Sequence, residues 1–283
     1  MDKSELEKII EGRTVAVSSA PDASQSFADK VLCVALDVGE NLLHCGGEIN
    51  RVENTIERVC RAYGAKHVEV FTITSVIVAE VRMSDGSYSS QLRRVLQSKM
   101  GNDLSRLERF NALSRRICTE KMPPEEAIAL IKKVKTENTV PSYVPLIGAI
   151  FASGAFAVFF GGNMVDAVIA AIVGVIITLI DNNRPSFINK MASTVICSFV
   201  GGILSVVVSY LAARIGLVGN VDMVMIGTIM LLIPGVSFGY AMRDLMFGDT
   251  ISGALKTIQA VLLAAMIALG YSLAILCVGG LPI

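Results

Sequence analysis

Five long apolar segments follow one another through the second half of the chain. They cover residues 143–160, 164–181, 191–213, 223–242 and 252–278. A helix needs about 20 mostly apolar residues to cross the hydrocarbon core of a bilayer. Only helices and closed barrels satisfy their backbone polar groups at that depth. The segments therefore predict an all-α polytopic membrane domain over residues 141–283, with five transmembrane helices joined by short loops.

Charged residues are concentrated ahead of these segments. From Ser142 onward the chain has five basic and five acidic residues, against 25 of each in the whole chain. Both halves are therefore neutral, which gives no indication of a nucleic-acid partner. The six cysteines form no CxxC pair and favour buried thiols, with a metal site at His44, Cys45 and Cys60 as the weaker alternative. We expect no metal and no cofactor.

The residues before position 141 predict a mixed α+β domain. Residues 26–64 predict two helices around a Gly-Gly turn, because apolar side chains recur on one helical face. Residues 67–83 alternate apolar and polar side chains and predict strands, and the SDGS stretch that follows predicts a hairpin turn. Two amphipathic helices come next, the second beginning at Pro123-Pro124. We assign residues 26–140 to this domain and residues 1–25 to a flexible lead-in.

Basic residues give the expected orientation in the inner (cytoplasmic) membrane. No signal peptide precedes the first apolar segment, so the α+β domain is expected in the cytoplasm. Four basic residues then fall on the inner side and only Arg214 on the outer side, in agreement with the positive-inside rule. The four inner residues are Arg184, Lys190, Arg243 and Lys256. Five spans would place the C-terminus outside.

The fourth apolar segment is interrupted by Pro234-Gly235. Proline removes a helical hydrogen bond and clashes with the preceding turn. At membrane depth such a break is tolerated where it packs against protein or lines a water-filled cavity. The half-helix after Gly235 begins with free N–H groups that can bind a carboxylate, and Ser237 adds a hydroxyl donor. The alternative is a structural kink in a packed helix.

Three charged residues follow the break. Arg243 and Asp244 lie about 13 Å beyond Pro234 at helical rise, near the expected inner interface. They predict an inner gate, or a carboxylate clamp formed by Arg243. The alternative is an Arg side chain that reaches the interface beside a local ion pair. Asp249 belongs either to the same site or to the N-cap of the next helix.

Polar residues at the ends of the second apolar segment predict a coupling-ion site. Asp166 lies just inside the segment, and a carboxylate in a dry setting has a raised pKa that suits a coupling proton. A solvated helix start is the alternative. Asn163 and Asp181 flank the same segment and share that ambiguity.

An acidic-basic motif opens the second helix of the α+β domain. Glu48, Arg51 and Glu53 lie close together on it, and Arg51 is within pairing reach of Glu48. An ion-pair network that fixes the fold or docks the domain is the preferred interpretation. A hydrolytic site built from Glu48 and Glu53 is the alternative.

Two separated motifs resemble the threonine/serine exporter family. They are GGEINRVENTIERVCRAYGA with DLSRLERFNALSR in the first half, and IPGVSFGYAMRDLMFGDTISGALK in the second. The resemblance implies a secondary exporter of threonine, serine or, in split members, dicarboxylates such as succinate. The absence of a phosphate-binding GxxxxGK[ST] or GxGxxG motif agrees with transport that is not driven by ATP.

The chain resembles the larger subunit of the split form of that family. The resemblance implies that a second membrane subunit, or a second copy of the chain, supplies the remaining helices. Beside a transporter subunit in the lipid bilayer with a small-molecule substrate, two other functions stay open. One is a membrane-anchored hydrolase, and the other is a regulatory subunit that does not itself transport.

Overall fold

The structure is a computed structural model that describes residues 26–96, 101, 103–137, 140–141, 143–185 and 188–278. The predicted lead-in, residues 1–25, lies outside this part of the chain. The chain divides into two compact units, Met1–Thr136 and Glu137–Ile283.

Helices and a small antiparallel sheet form the N-terminal unit. In chain order they are α1 (Phe27–His44), α2 (Ile49–Ala62), β1 (Ala65–Ile73), β2 (Val76–Met83), β3 (Tyr88–Arg94), α3 (Leu104–Glu120) and α4 (Pro124–Thr136). The helices and the hairpin predicted from the sequence are present, and the SDGS turn joins β2 to β3.

Local chemistry explains where α1 begins and ends. The Ser26 hydroxyl accepts a hydrogen bond from the Asp29 N–H, and the Asp29 carboxylate accepts one from the Ser26 N–H. This reciprocal pair satisfies two of the N–H groups that a helix start leaves open. After the last turn, Gly46 adopts a φ of +88°, a conformation that favours glycine. The chain therefore turns sharply from α1 into α2.

The sheet has one covered face and one open face. Strand order is β1-β2-β3, and the register places Val70 opposite Ala79 and Val78 opposite Leu92. The face that includes Ile77 and Ala79 is buried and packs on α1. On the open face, Phe71, Val78 and Leu92 lie side by side across the three strands, with 57%, 37% and 63% of their surface exposed.

Helices make up the described part of the C-terminal unit. They are α5 (Val144–Phe159), α6 (Met164–Asn182), α7 (Lys190–Arg214), α8 (Val221–Leu232), α9 (Gly235–Met246) and α10 (Thr250–Val278). Helix α5 packs against α6 and α8, α7 packs against α6 and α10, and α9 packs against α10. The long apolar segments predicted from the sequence are thus helical.

Four of the five predicted spans are long and apolar enough to cross a membrane when the bent pair counts as one, and the fifth stays a prediction. Within the described residues, α6, α7 and α10 are long and apolar enough to cross a membrane, and the bent pair α8–α9 counts as a fourth. Helix α5 is apolar but has only 16 residues. At 1.5 Å per residue it is about 24 Å long, less than the roughly 30 Å hydrocarbon core. Its ends agree with the predicted segment 143–160 to within one residue, so a crossing by α5 stays a prediction.

Glycines set the closest helix contacts. A Cβ on Gly227 of α8 would lie 2.5 Å from the Ser153 carbonyl oxygen of α5, and one on Gly202 of α7 would lie 2.5 Å from Ala274 Cβ of α10. Close packing of small residues is how membrane helices associate. Gly154, Gly174 and Gly201 also lie at close contacts, whereas Gly148 has open space where a Cβ would lie.

Candidate functional site

The apolar helix is broken at Pro234, as the sequence predicts. Helix α8 ends at Leu232, α9 begins at Gly235, and their axes differ in direction by 51°. Pro234 has no N–H to donate to the preceding turn, so the helical ladder stops there. Two short-range hydrogen bonds form at the break. The Gly235 N–H donates to the Ile233 carbonyl at 2.8 Å, and the Phe238 N–H donates to the Pro234 carbonyl at 2.9 Å. The new helix is thus an independent element.

The start of α9 is open. Gly235 is exposed, and a Cβ placed on it would meet no heavy atom within 4 Å. Ser237 lies in the first turn and is partly buried. The first turn of any helix leaves N–H groups without an intrahelical acceptor, and these groups and the helix dipole favour an anion. The geometry is therefore suited to a small carboxylate.

Asp244 forms an ion pair that the sequence did not reveal. Its carboxylate lies 2.6 Å from the Lys256 ammonium of α10, and the two side chains are 2% and 14% exposed. Arg243 lies on the exposed side of α9, with its guanidinium 5.5 Å from the centre of the Phe247 ring. The structure thus places the two neighbouring charges on different sides of α9. The spacing of Asp244 and Lys256, twelve residues apart across a turn, gave no periodic signal.

Asp249 lies in the loop between α9 and α10. Its N–H donates to the Asp244 carbonyl at 2.9 Å, and its own carbonyl accepts from the Gly253 N–H at 2.9 Å. Its Oδ2 atom is buried and makes no hydrogen bond. Burial, and then the nearby Asp244 carboxylate, raise the pKa of Asp249 above the ordinary aspartate value. Asp249 therefore lies where an N-cap is expected, beside the Asp244–Lys256 pair.

The Asp166 carboxylate accepts hydrogen bonds from two different loops. It is fully buried, which replaces the solvated helix start considered from the sequence. One carboxylate oxygen accepts from the Asn163 N–H at 2.8 Å, and the other accepts from the Asn220 N–H at 2.6 Å. The Asn163 side chain in turn donates to the Val218 carbonyl at 3.1 Å. The loop before α6 and the loop before α8 are thus joined through these polar contacts.

The other end of α6 has a simpler arrangement. Asp181 is exposed and accepts a hydrogen bond from the Ser193 hydroxyl of α7 at 3.0 Å. Asn220, the partner of Asp166, immediately precedes α8. The 12 residues of α8 put the Pro234 break about 18 Å from that end. The predicted coupling residues Asp166 and Asn163 are therefore not gathered around the break.

One residue of the motif formed by Glu48, Arg51 and Glu53 contacts the sheet. Glu48 is the N-cap residue of α2, and Arg51 is exposed. The Glu53 carboxylate accepts a hydrogen bond from the Thr72 N–H of β1 at 2.7 Å. Glu53 therefore anchors α2 to the first strand.

A groove of about 530 Å³ lies on the N-terminal unit beside that contact. Its lining combines four carboxylates with exposed apolar side chains: Glu53, Glu57, Glu69, Glu80, Phe71 and Val78. Glu57 pairs with Arg61 at 2.7 Å. The strand glutamates carry no motif that singles them out, although their spacing in β1 and β2 places them on the open face of the sheet.

Comparison with known families covers most of the chain. The sequence model of ThrE, described as a threonine/serine exporter, matches residues 33–277. No curated protein matches the chain. No solved structure matches it. The matched range includes the acidic-basic motif of α2, the break at Pro234 and the pair formed by Asp244 and Lys256. Together with helices long enough to cross a bilayer, this match makes the protein a membrane transporter. The chain belongs to the threonine/serine exporter family.

Proposed function

We propose that the chain is a subunit of a secondary-active exporter of small carboxylate-bearing metabolites. Threonine and serine are the first candidates, and dicarboxylates such as succinate share the chemistry that the break would recognise. Transport would proceed by alternating access and be coupled to an ion gradient. The observation that carries this proposal is the 51° break between α8 and α9 in a chain of the exporter family.

The start of α9 is the proposed site for the substrate carboxylate. An anion in water is stabilised by hydrogen bonds from water. The first-turn N–H groups and the dipole of α9 would replace those hydrogen bonds at the site. Open space in front of Gly235 leaves room for a ligand. Discontinuous helices are used in this way in transporters, where half-helix N-termini point at anionic substrate groups. Ser237 would add a hydroxyl donor in the first turn, and Arg243, in the last turn of α9, would offer a guanidinium donor farther along the path.

The Asp244–Lys256 pair is the proposed inner gate. It joins α9 to α10, and it would lie on the inner side with the N-terminal unit in the cytoplasm and α5 crossing the membrane as the sequence predicts. Because Asp244 and the substrate site lie on the same short helix, a rotation of α9 about Pro234 would move both together. Separation of the pair would open a path between α9 and α10. A buried pair resists this separation until water or another charge replaces the lost partner.

A partner would complete the path. Apolar side chains are exposed on both α9 and the first part of α10, among them Phe238, Met242, Ile251 and Ile258. Transporters with a central site are commonly built from two related halves. We propose that a second membrane subunit, or a second copy of the chain, supplies the other half in the inner membrane.

The proposal is tested by efflux from proteoliposomes. The full chain is purified from native membranes under mild conditions, so that a bound partner is retained, and is reconstituted with radiolabelled threonine, serine or succinate inside. Saturable efflux of at least one of these compounds is expected. Absence of saturable efflux for all three would refute the proposal, and flux that requires a co-purified chain would identify the other half.

A pair of glycine variants connects that flux to the break. Gly235→Ala and Gly148→Ala each add a methyl group where no atom lies within 4 Å, so both are expected to fold. Only Gly235→Ala places the methyl in front of the α9 start. We expect it to slow efflux by about tenfold, equivalent to about 1.4 kcal/mol, while Gly148→Ala stays at the wild-type rate. Equal rates in the two variants would move the substrate site away from Gly235.

A further inference from the structure

A buried hydrogen bond joins α10 to the first half of the broken helix. The Tyr271 hydroxyl of α10 donates to the Thr228 Oγ1 atom of α8 at 2.8 Å. The two residues are 4% and 0% exposed. The Thr228 hydroxyl donates in turn to the Met225 carbonyl of its own helix at 2.9 Å. Because Thr228 lies about 9 Å before Pro234 at helical rise, the bond attaches α10 to α8 close to the break.

Two adjacent glycines of α7 leave room for the Tyr271 side chain. A Cβ on Gly201 would lie 3.0 Å from the Tyr271 hydroxyl oxygen, and one on Gly202 would lie 3.3 Å from the Tyr271 Cδ1 atom. Gly270, the residue before Tyr271, packs on α7 as well, since a Cβ there would lie 2.5 Å from the Ser198 Cβ. Small residues allow helices to approach this closely. Helix α7 therefore fixes the position from which Tyr271 reaches α8.

The two halves of the broken helix are held to different extents. Helix α8 packs against α5, α6 and α7, and a Cβ on Gly227 would lie 2.5 Å from the Ser153 carbonyl oxygen of α5. Within the part of the chain that the structure describes, the extensive helix contact of α9 is the one with α10. We therefore treat α8 as the fixed half of the broken helix and α9 as the less constrained half.

We propose that Tyr271 is a positioning residue of the exporter, which keeps α8 in place while α9 turns about Pro234. This inference rests on the proposed function, because it names the residue that holds the pivot of the same transport step. Helix α10 is attached to both halves of the broken helix, to α9 through the Asp244–Lys256 pair and to α8 through Tyr271. The first attachment opens with the gate, and the second stays closed.

A hinge needs one segment that stays still. If α8 followed α9, the broken helix would turn as one body, and the start of α9 at Gly235 would not move relative to α8. The Tyr271 bond resists this movement near the break. In a dry interior no water replaces a lost hydrogen bond between helices, so the bond favours a single position of α8. Hinge motions of this kind concentrate the change in backbone angles in a few residues at the ends of elements.

Distances between spin labels test the fixed and the mobile half. One label replaces Asp222, which is exposed at the start of α8, and the second replaces either Leu276 of α10 or Met246 of α9, which are 80% and 85% exposed. The labels are attached through an unnatural amino acid, so that the six native cysteines do not react. In the full chain in lipid, added threonine should shift the distance to Met246 and leave the distance to Leu276 unchanged. Tyr271→Phe should broaden the distribution of distances to Leu276.

Replacements at Thr228 separate the hydrogen bond from packing. Thr228→Val keeps the shape and removes the acceptor, whereas Thr228→Ser keeps the hydroxyl. Tyr271→Phe and Thr228→Val should each slow threonine efflux from proteoliposomes about fivefold, and the double variant should be no slower than either, because both changes remove the same bond. Thr228→Ser should keep the wild-type rate. Tyr210→Phe, which removes a hydroxyl that accepts from Arg214 at the end of α7, serves as the matched control and should also keep it.

The outcomes separate this inference from the proposed function. Unchanged efflux and unchanged distances to Leu276 in Tyr271→Phe would overturn the inference. Equal slowing in Thr228→Ser and Thr228→Val would also overturn it, because packing and not the hydroxyl would then be responsible. A protein whose label distances respond to Tyr271→Phe as expected, but which shows no saturable efflux, would refute the proposed function and leave the attachment of α8 to α10 in place.

Discussion

Removal of Lys256 is expected to destabilise the C-terminal unit more than any surface change. Lys256→Met keeps most of the side-chain volume and deletes the ammonium, which leaves Asp244 buried without a partner at 2% exposure. Breaking a buried ion pair on one side costs about 3–5 kcal/mol, because the remaining charge keeps its desolvation penalty.

Two further variants serve as controls for the Lys256→Met prediction. Replacing both partners by apolar residues, Asp244→Leu with Lys256→Met, removes the buried charge and should recover most of the lost stability. Lys190→Met deletes an exposed ammonium at the start of α7 and should stay within about 0.5 kcal/mol of the wild type. The free energy of unfolding is measured by denaturant titration in one mild detergent. If Lys256→Met costs no more than Lys190→Met, the pair does not hold α9 to α10.

Three other changes test separate parts of the argument. Pro234→Ala restores a backbone donor, so α8 and α9 should straighten and efflux should fall about tenfold with insertion intact; unchanged efflux would exclude the break from the mechanism. Arg243→Gln should raise the half-saturating concentration of carboxylate substrates about tenfold, since charge-assisted hydrogen bonds contribute about 1.5–3 kcal/mol, and an unchanged value would exclude Arg243 from substrate binding. Asp166→Ala removes the carboxylate that accepts from the Asn163 and Asn220 N–H groups, at about 1 kcal/mol per hydrogen bond, and should lower the melting temperature more than Asp222→Ala does.

Features that depend on local chemistry were predictable from the sequence. The backbone nitrogen of proline cannot donate a hydrogen bond in any context. The break at Pro234 therefore follows from the residue at that position alone. The hairpin between β2 and β3 follows from turn residues placed between alternating segments. The start of α4 at Pro124 has the same local origin, because the first helical position does not need the missing N–H.

Features that join distant parts of the chain were not predictable. Asp166 meets the Asn220 N–H across 54 residues, and nothing in the spacing indicates which loop its carboxylate reaches. Lys256 appeared in the sequence as one of the inner basic residues, whereas the structure buries it against Asp244.

The bond from Thr72 to Glu53 also closes one position on the outer edge of the sheet. β1 is an outer strand of the sheet, and outer strands can pair with strands of other molecules. The Glu53 carboxylate occupies one N–H of that strand and places a negative charge beside it. A newly synthesised chain whose apolar helices still await insertion is therefore less prone to join its neighbours sheet to sheet.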